Sequence, residues 1–247
     1  MRLRSSGERF EVFESLDSTN EEARRRARLG ERGPIWLCAE RQEAGRGRRG
    51  RTWVSETGNL HASIVFAPER PAGERPQLSF VAALALHDAL VAHLGADEGL
   101  RLKWPNDILL DGRKLAGILL EAEGELVIAG FGVNLLHHPA DMERPATSVL
   151  AARGRRIAAP DLLDSLSASF LLRRNIWRAD GFRSIRTDWL LRAEGIGGTV
   201  VARLGNGEER EGRWSGIGED GALLLMAPDG TTEEIKAGDI FPALREA

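Results

Sequence analysis

Four short stretches carry side chains suited to chemistry on an anion. The densest is QEAGRGRRGRTW, residues 42–53, with three glycines and four arginines between Gly45 and Arg51. Glycines let backbone N–H groups converge, and Arg46, Arg48, Arg49 and Arg51 add charge, which suits an anion-binding loop that orders as its ligand arrives. A solvated charged loop is the alternative reading. The stretch also matches G-x-G-x-x-G, but a dinucleotide fingerprint must lead straight into a helix, whereas Arg51, Thr52 and Trp53 lead toward a strand. In LKWPND, residues 102–107, Pro105 removes a ladder donor and presents Asn106 and Asp107 together. They form either a plain turn or, with Lys103, a set for Mg2+ and phosphate oxygens.

Lys114 opens KLAGILLE, residues 114–121, a strand of mainly apolar and small residues, where a lysine either snorkels into solvent or faces a ligand. The chain has 31 arginines and only three lysines, Lys103, Lys114 and Lys236. Where guanidinium is used so freely, a retained ammonium points to a place wanting a compact point charge rather than a planar fork. The fourth stretch is Ser18-Thr19-Asn20-Glu21. Ser18 and Glu21 have the spacing of a capping box, which accounts for Ser18 without a ligand and leaves Thr19 and Asn20 free at a strand-to-helix junction.

The elements that must position these groups follow from periodicity. Residues 10–13 alternate as a strand, a charged helix runs from 17–20 to about Gly30, and 35–39 and 60–66 are strands. Residues 76–94 place Leu78, Val81, Leu84, Leu86, Leu90 and Leu94 largely on one face of a core helix. Strand-length runs follow at 100–104, 108–110, 114–121 and 126–133, the second and third joined by the hairpin signal Asp111-Gly112. Helices are expected over 161–177 and 181–194, with Trp177 and Trp189 in the core. From Gly197 onward, short strands between Gly-rich turns suggest a small five-stranded barrel. The expected fold is α+β: a mixed β-sheet flanked by helices over residues 1–195, then a small C-terminal β-barrel over 196–247.

Composition bounds the rest. With 42% hydrophobic and 29% charged residues the chain has a globular balance. A net charge of -3 gives no global field for nucleic acid or an anionic membrane. One cysteine, Cys38, permits neither an intramolecular disulfide nor a multi-cysteine metal site, so cytoplasm is the default compartment. His137-His138 lacks a third metal ligand at sensible spacing. No signal core opens the chain, and no stretch is read as long enough to span a bilayer. Neither G-x-S-x-G nor G-x-x-x-x-G-K-[ST] occurs, against a hydrolase or P-loop reading.

Taken in order, STN at 18–20, QEAGRGRRGRTW at 42–53, LKWPND at 102–107, GRKLAGILLE at 112–121 and GFGVNL at 130–135 resemble biotin protein ligases over nearly the whole chain. The resemblance implies a biotin/lipoate ligase-like catalytic domain with an SH3-like terminal barrel. It also implies a two-step reaction with ATP and Mg2+: biotin becomes biotinyl-5′-AMP, and the biotinyl group passes to one lysine of a biotin carboxyl carrier domain of a carboxylase. By position, Ser18, Thr19, Asn20, Gln42, Arg46, Gly47 and Arg48 would bind biotin. Lys114 would meet its carboxylate and, with Arg48, act in catalysis. Arg48, Arg49, Arg51, Trp53, Lys103, Asn106, Asp107 and Asn134 would lie at the ATP or adenylate, with Asp107 the candidate Mg2+ ligand.

Relatives that also repress transcription carry a helix-turn-helix domain before the STN segment, and only 17 residues precede Ser18, so no DNA binding is expected. A homodimer stays open, as do the adenine-stacking groups. Two other readings are a lipoate or octanoate ligase or transferase of the same superfamily, and a nucleic-acid-binding module using the Arg/Gly loop. Lipoate and octanoate would leave the STN and Gln42 groups unpaired. An acidic chain without tyrosine disfavours the nucleic-acid module.

Overall fold

The structure, a computed structural model, describes residues 2–3, 8–95, 99–140 and 144–243. In chain order its elements are β1 (Arg2–Leu3), β2 (Arg9–Leu16), α1 (Thr19–Arg28), β3 (Ile35–Gln42), β4 (Leu60–Phe66), α2 (Leu78–Leu94), β5 (Leu100–Lys103), β6 (Asp107–Leu110), β7 (Arg113–Glu123) and β8 (Leu126–Val133). Then follow α3 (Val149–Arg153), α4 (Ala159–Asp180), α5 (Phe182–Leu190), β9 (Thr199–Leu204), β10 (Glu209–Ile217), β11 (Leu223–Met226), β12 (Thr232–Ile235) and β13 (Gly238–Pro242).

The first eight strands form one mixed sheet in the order β1-β2-β3-β4-β8-β7-β6-β5. β2 and β3 run parallel, while β3-β4, β4-β8 and β7-β8 are antiparallel. Both faces of the centre are covered, so β3 and β4 read as nearly continuous apolar runs rather than alternating ones. On one face α1 lays Ala23 against Ile35, Leu37, Val65 and Ile128. On the other, Trp36 meets Phe170 of α4 edge-on, with ring centroids 5.8 Å apart.

α2 lies on this second face, in contact with α4 and α5. It is apolar nearly all round, with Phe80, Ala82, Ala83, Ala85 and Ala89 as buried as the expected one-sided leucines. A helix with no polar face belongs inside. The helical stretch 72–94 is in fact long and apolar enough to cross a bilayer, correcting the expectation that no stretch is. Most of it is buried within the fold.

Local chemistry explains several boundaries. Asp111 and Gly112 take positive φ values of 51° and 73°, as a tight hairpin between twisted strands requires. α5 stops at Leu190, short of the expected Glu194, because the next residues pair with β5: Leu102 N donates to Arg192 O and Glu194 N to Leu102 O, both at 2.8 Å. α3 was not expected. Its signals are Ser148, whose Oγ accepts from Ala151 N at 3.1 Å, and Gly154 in the left-handed conformation.

The terminal unit is the small SH3-like barrel, an antiparallel sheet ordered β12-β11-β10-β9-β13. It packs directly on the larger unit. Trp104 Nε1 donates to Gly221 O at 3.0 Å, and Trp214 of β10 meets Trp189 of α5 at 6.1 Å. A Cβ at Gly221 would lie 2.7 Å from the Phe80 ring. The terminal unit therefore stands where it can contribute side chains to whatever the sheet displays.

Candidate active site

The sheet displays a cleft of about 820 Å³, counting its open mouth. Its floor is made of glycines. Gly130 and Gly132 alternate onto one face of β8, and Gly117 of β7 stands opposite Gly132. A Cβ at Gly132 would come within 2.3 Å of the Trp53 indole, one at Gly130 within 2.1 Å of Asn20 Oδ1, and one at Gly117 within 3.2 Å of Trp53. These glycines let Trp53 and Asn20 lie directly on the backbone of the sheet.

One end of the cleft is polar and neutral. Gln42, at the end of β3, accepts from Thr19 N at 2.8 Å and places its own Nε2 2.8 Å from Ser55 Oγ. Ser63 Oγ lies 2.7 Å from Thr19 Oγ1 and 2.6 Å from Asn20 Oδ1. The amide oxygen can only accept, so Ser63 donates to Asn20 and is free to accept from Thr19. Asn20 Nδ2 donates to Glu121 Oε2 at 2.8 Å, which fixes the amide's orientation.

Ser18 occupies the N-cap position with extended backbone but makes no side-chain cap. The expected capping box is therefore absent. Glu21 turns instead to Arg24, at 2.6 Å, and to Arg46, while Gln42 from outside the helix satisfies the Thr19 N–H.

The other end is charged. Lys114 Nζ lies 2.8 Å from Asp107 Oδ1 and 5.6 Å from the centre of the Trp53 ring. Asn106 is held from both sides: Nδ2 donates to Ile118 O at 2.6 Å, and Oδ1 accepts from Arg48 Nη1 at 3.1 Å. Burial lowers the pKa of the Arg48 guanidinium, against the pull of Asp239. The arginine loop is folded into a tight turn, with Gly47 N donating to Arg51 O at 2.7 Å and Arg49 at φ 55°.

Ser18, Thr19, Asn20, Gln42, Arg46, Gly47, Arg48, Arg51, Trp53, Asn106, Asp107 and Lys114 all line this one cleft. Three expected residues do not. Asn134 is buried, with its Nδ2 donating to Thr147 O at 3.1 Å. Lys103 is buried over the Phe241 ring at 5.4 Å, and burial pushes its ammonium pKa down. Arg49 points toward Asp239, 3.9 Å away.

Sequence reasoning missed the three floor glycines, for which the alternating G-x-G of β8 was a usable signal. It also missed Asp239, which reaches the cleft from the terminal barrel and has no local signature.

Comparison with known proteins turns this geometry into a family. The description "Biotin/lipoate A/B protein ligase family" matches residues 12–134, and "Biotin protein ligase C terminal domain" matches 195–241. A biotin--[acetyl-CoA-carboxylase] ligase from Paracoccus denitrificans is 42% identical over 239 residues, covering 91% of this chain and 97% of the relative. The chain belongs to the biotin protein ligase family. A second ligase of that description, from Mycobacterium tuberculosis, is 34% identical across 96% of this chain and 90% of its own length. Among solved structures, the biotin protein ligase of Aquifex aeolicus in complex with biotin and ATP superposes with a TM-score of 0.83 at 25% identity, over 94% of this chain and 97% of the other. Members of the biotin protein ligase family thus share both the sheet and the barrel with this chain.

Proposed function

We propose that this protein activates biotin with ATP as biotinyl-5′-AMP and transfers the biotinyl group to a lysine of a biotin carboxyl carrier domain of a carboxylase. The observation that carries the reading is the division of the cleft, with a neutral polar wall at one end and a cationic set at the other on a common glycine floor. The ureido ring of biotin is neutral and rich in donors and acceptors, which matches Ser18, Thr19, Asn20 and Gln42. Its carboxylate then points to Lys114.

Step one brings an anion to a polyanion. A carboxylate oxygen of biotin bonds to the α-phosphorus of ATP, the bond to the bridging oxygen breaks, and pyrophosphate leaves. Lys114, Arg48 and Arg51 offset the repulsion, each close charge pair being worth roughly 4 kcal/mol at a surface-like dielectric. In step two the neutral ε-amine of the acceptor attacks the acyl carbon, AMP leaves and a proton is released. Trp53 and the arginine loop wall off the mixed anhydride from water.

Asp107 is the residue suited to Mg2+. Among the described residues no group of three or more His, Cys, Asp or Glu could hold an ion, so a metal here needs the phosphates of ATP as co-ligands, the usual Mg2+ arrangement. Bound Mg2+ supplies further neutralisation of the phosphates. Arg46 faces Glu21 and Glu121 and Arg51 faces Asp239, and both line the cleft, which favours a role there over a phosphate patch for nucleic acid. We assign a cytoplasmic protein with a catalytic unit over 1–195 and the barrel over 196–247.

The deciding experiment is ATP–pyrophosphate exchange with biotin, lipoate and octanoate in turn. Exchange with biotin alone is expected. Exchange with lipoate or octanoate but not biotin overturns the reading in favour of the lipoate branch.

A further inference from the structure

Asp239, on β13 of the terminal barrel, faces three arginines of the catalytic unit. Its Oδ2 lies 2.8 Å from Arg51 Nη2 and 3.9 Å from Arg49 Nη1, and its Oδ1 lies 3.8 Å from Arg48 Nη1. Its side chain is 15% exposed and lines the cleft beside Asn106 and Asp107. The neighbouring Gly238 O accepts from Arg48 Nη1 at 3.4 Å.

The stoichiometry is uneven. Among the described residues Asp239 is the carboxylate at ion-pair distance of all three guanidiniums, with Asp107 acting on Arg48 and Lys103 on Asp239 from farther off; Arg51 hydrogen-bonds to it, while Arg48 and Arg49 stand at ion-pair distance. Three forks converging on one point would be matched better by a ligand with several anionic oxygens. Arg49 is presented from the tight turn closed by Gly47 N and Arg51 O, where it takes a left-handed backbone at φ 55°, a conformation uncommon for a non-glycine residue.

We propose that Asp239 is a positioning residue of the adenylation step. It stands in for phosphate, holding Arg48, Arg49 and Arg51 in place until the polyphosphate of ATP takes them over. The barrel thereby presets the arginine loop, and its carboxylate competes with the incoming phosphates. A plain interdomain clasp has no such competition. The inference rests on the reading that the cleft takes ATP.

Inorganic triphosphate is the probe, titrated calorimetrically at low salt into the full chain as wild type, Asp239→Asn and Asp239→Glu. The same proteins are followed by amide hydrogen exchange over residues 46–53, after circular dichroism has shown native folding. Removing the charge while keeping the shape is expected to tighten triphosphate binding roughly five- to tenfold, the effect of deleting one nearby like charge in a partly solvated site. It is also expected to speed exchange across the loop. The Glu variant keeps the charge and is expected to stay close to wild type in both.

Binding that is unchanged or weaker in the Asn variant, no binding to either protein, or loop exchange that does not change overturns the proposal. Biotin-dependent ATP–pyrophosphate exchange by the wild type is run alongside. Its absence would sink the reading of the cleft, whereas its presence with unaltered triphosphate binding in Asp239→Asn would sink only the role of Asp239.

Discussion

Lys114 Nζ stands 2.8 Å from Asp107 Oδ1, across the β6–β7 pair and beneath Trp53. A compact ammonium held there by one carboxylate can turn toward a second and a third oxygen without leaving the pair, whereas a guanidinium needs a planar, two-pronged partner. Lys114→Ala is expected to lower biotin-dependent pyrophosphate exchange by about 100- to 1,000-fold, the scale on which one preorganised donor contributes. Lys114→Arg is expected to recover less than about tenfold of that loss. Near-normal exchange by the Arg variant would show that charge alone suffices.

Ser18 separates two accounts of the same residue. A capping serine contributes about 0.5–2 kcal/mol to stability, but Ser18 makes no cap. Ser18→Ala is therefore expected to leave the melting temperature nearly unchanged while raising the KM for biotin. Thr19→Val, which strips the hydroxyl shared with Ser63 and Gln42, is expected to raise that KM about 5- to 150-fold, equivalent to 1–3 kcal/mol for an unpaired polar partner. In both variants kcat should move little, because the ureido contacts are the same in ground and transition states. Differential scanning fluorimetry with steady-state kinetics checks both halves.

How far the site was legible depends on how local its signals are. Ser18 to Asn20, Gln42, the arginine loop and Lys114 each sit in a short stretch whose residue types betray anion or amide chemistry, and the fold brings them to one cleft. Periodicity likewise marked the strands and long helices within a few residues. The capping box failed because Glu21 has stronger partners in Arg24 and Arg46, the latter from a loop the helix cannot foresee. The bond from Asn134 to Thr147 O spans 13 residues and has no local signature. Asp239 meets Arg51 across 188 residues of chain, a separation that no local pattern encodes.

The glycine floor makes a steric prediction. Gly132→Ala puts a methyl group 2.3 Å from the indole of Trp53, so the ring must lift off the sheet. Strand geometry itself tolerates alanine, and Gly132 does not take a positive φ, so the variant should fold. Tryptophan emission should shift to the red as Trp53 becomes more exposed, and the KM for both biotin and ATP should rise. Unaltered emission with unaltered KM would mean that the ring is not seated on Gly132.

Cys38 gives a test of the core that is independent of the cleft. The thiol is buried on β3, and burial, with Glu40 nearby, pushes its pKa up to about 12. The folded state thus favours the protonated form, and its advantage is complete below the thiol's unfolded pKa and lost progressively as pH rises from there toward 12. At one unit above the unfolded value the loss is about 1.4 kcal/mol. Urea unfolding at stepped alkaline pH should show this decline, and Cys38→Ser, which has no thiol to titrate, should show a shallower one. In the same protein a thiol reagent at mildly alkaline pH should react slowly in native buffer and fast in urea, since only the thiolate attacks. Rapid native labelling would mean that β3 is open to solvent at Cys38, and that the α4-facing side of the sheet is less closed than its packing around Trp36 and Phe170 indicates.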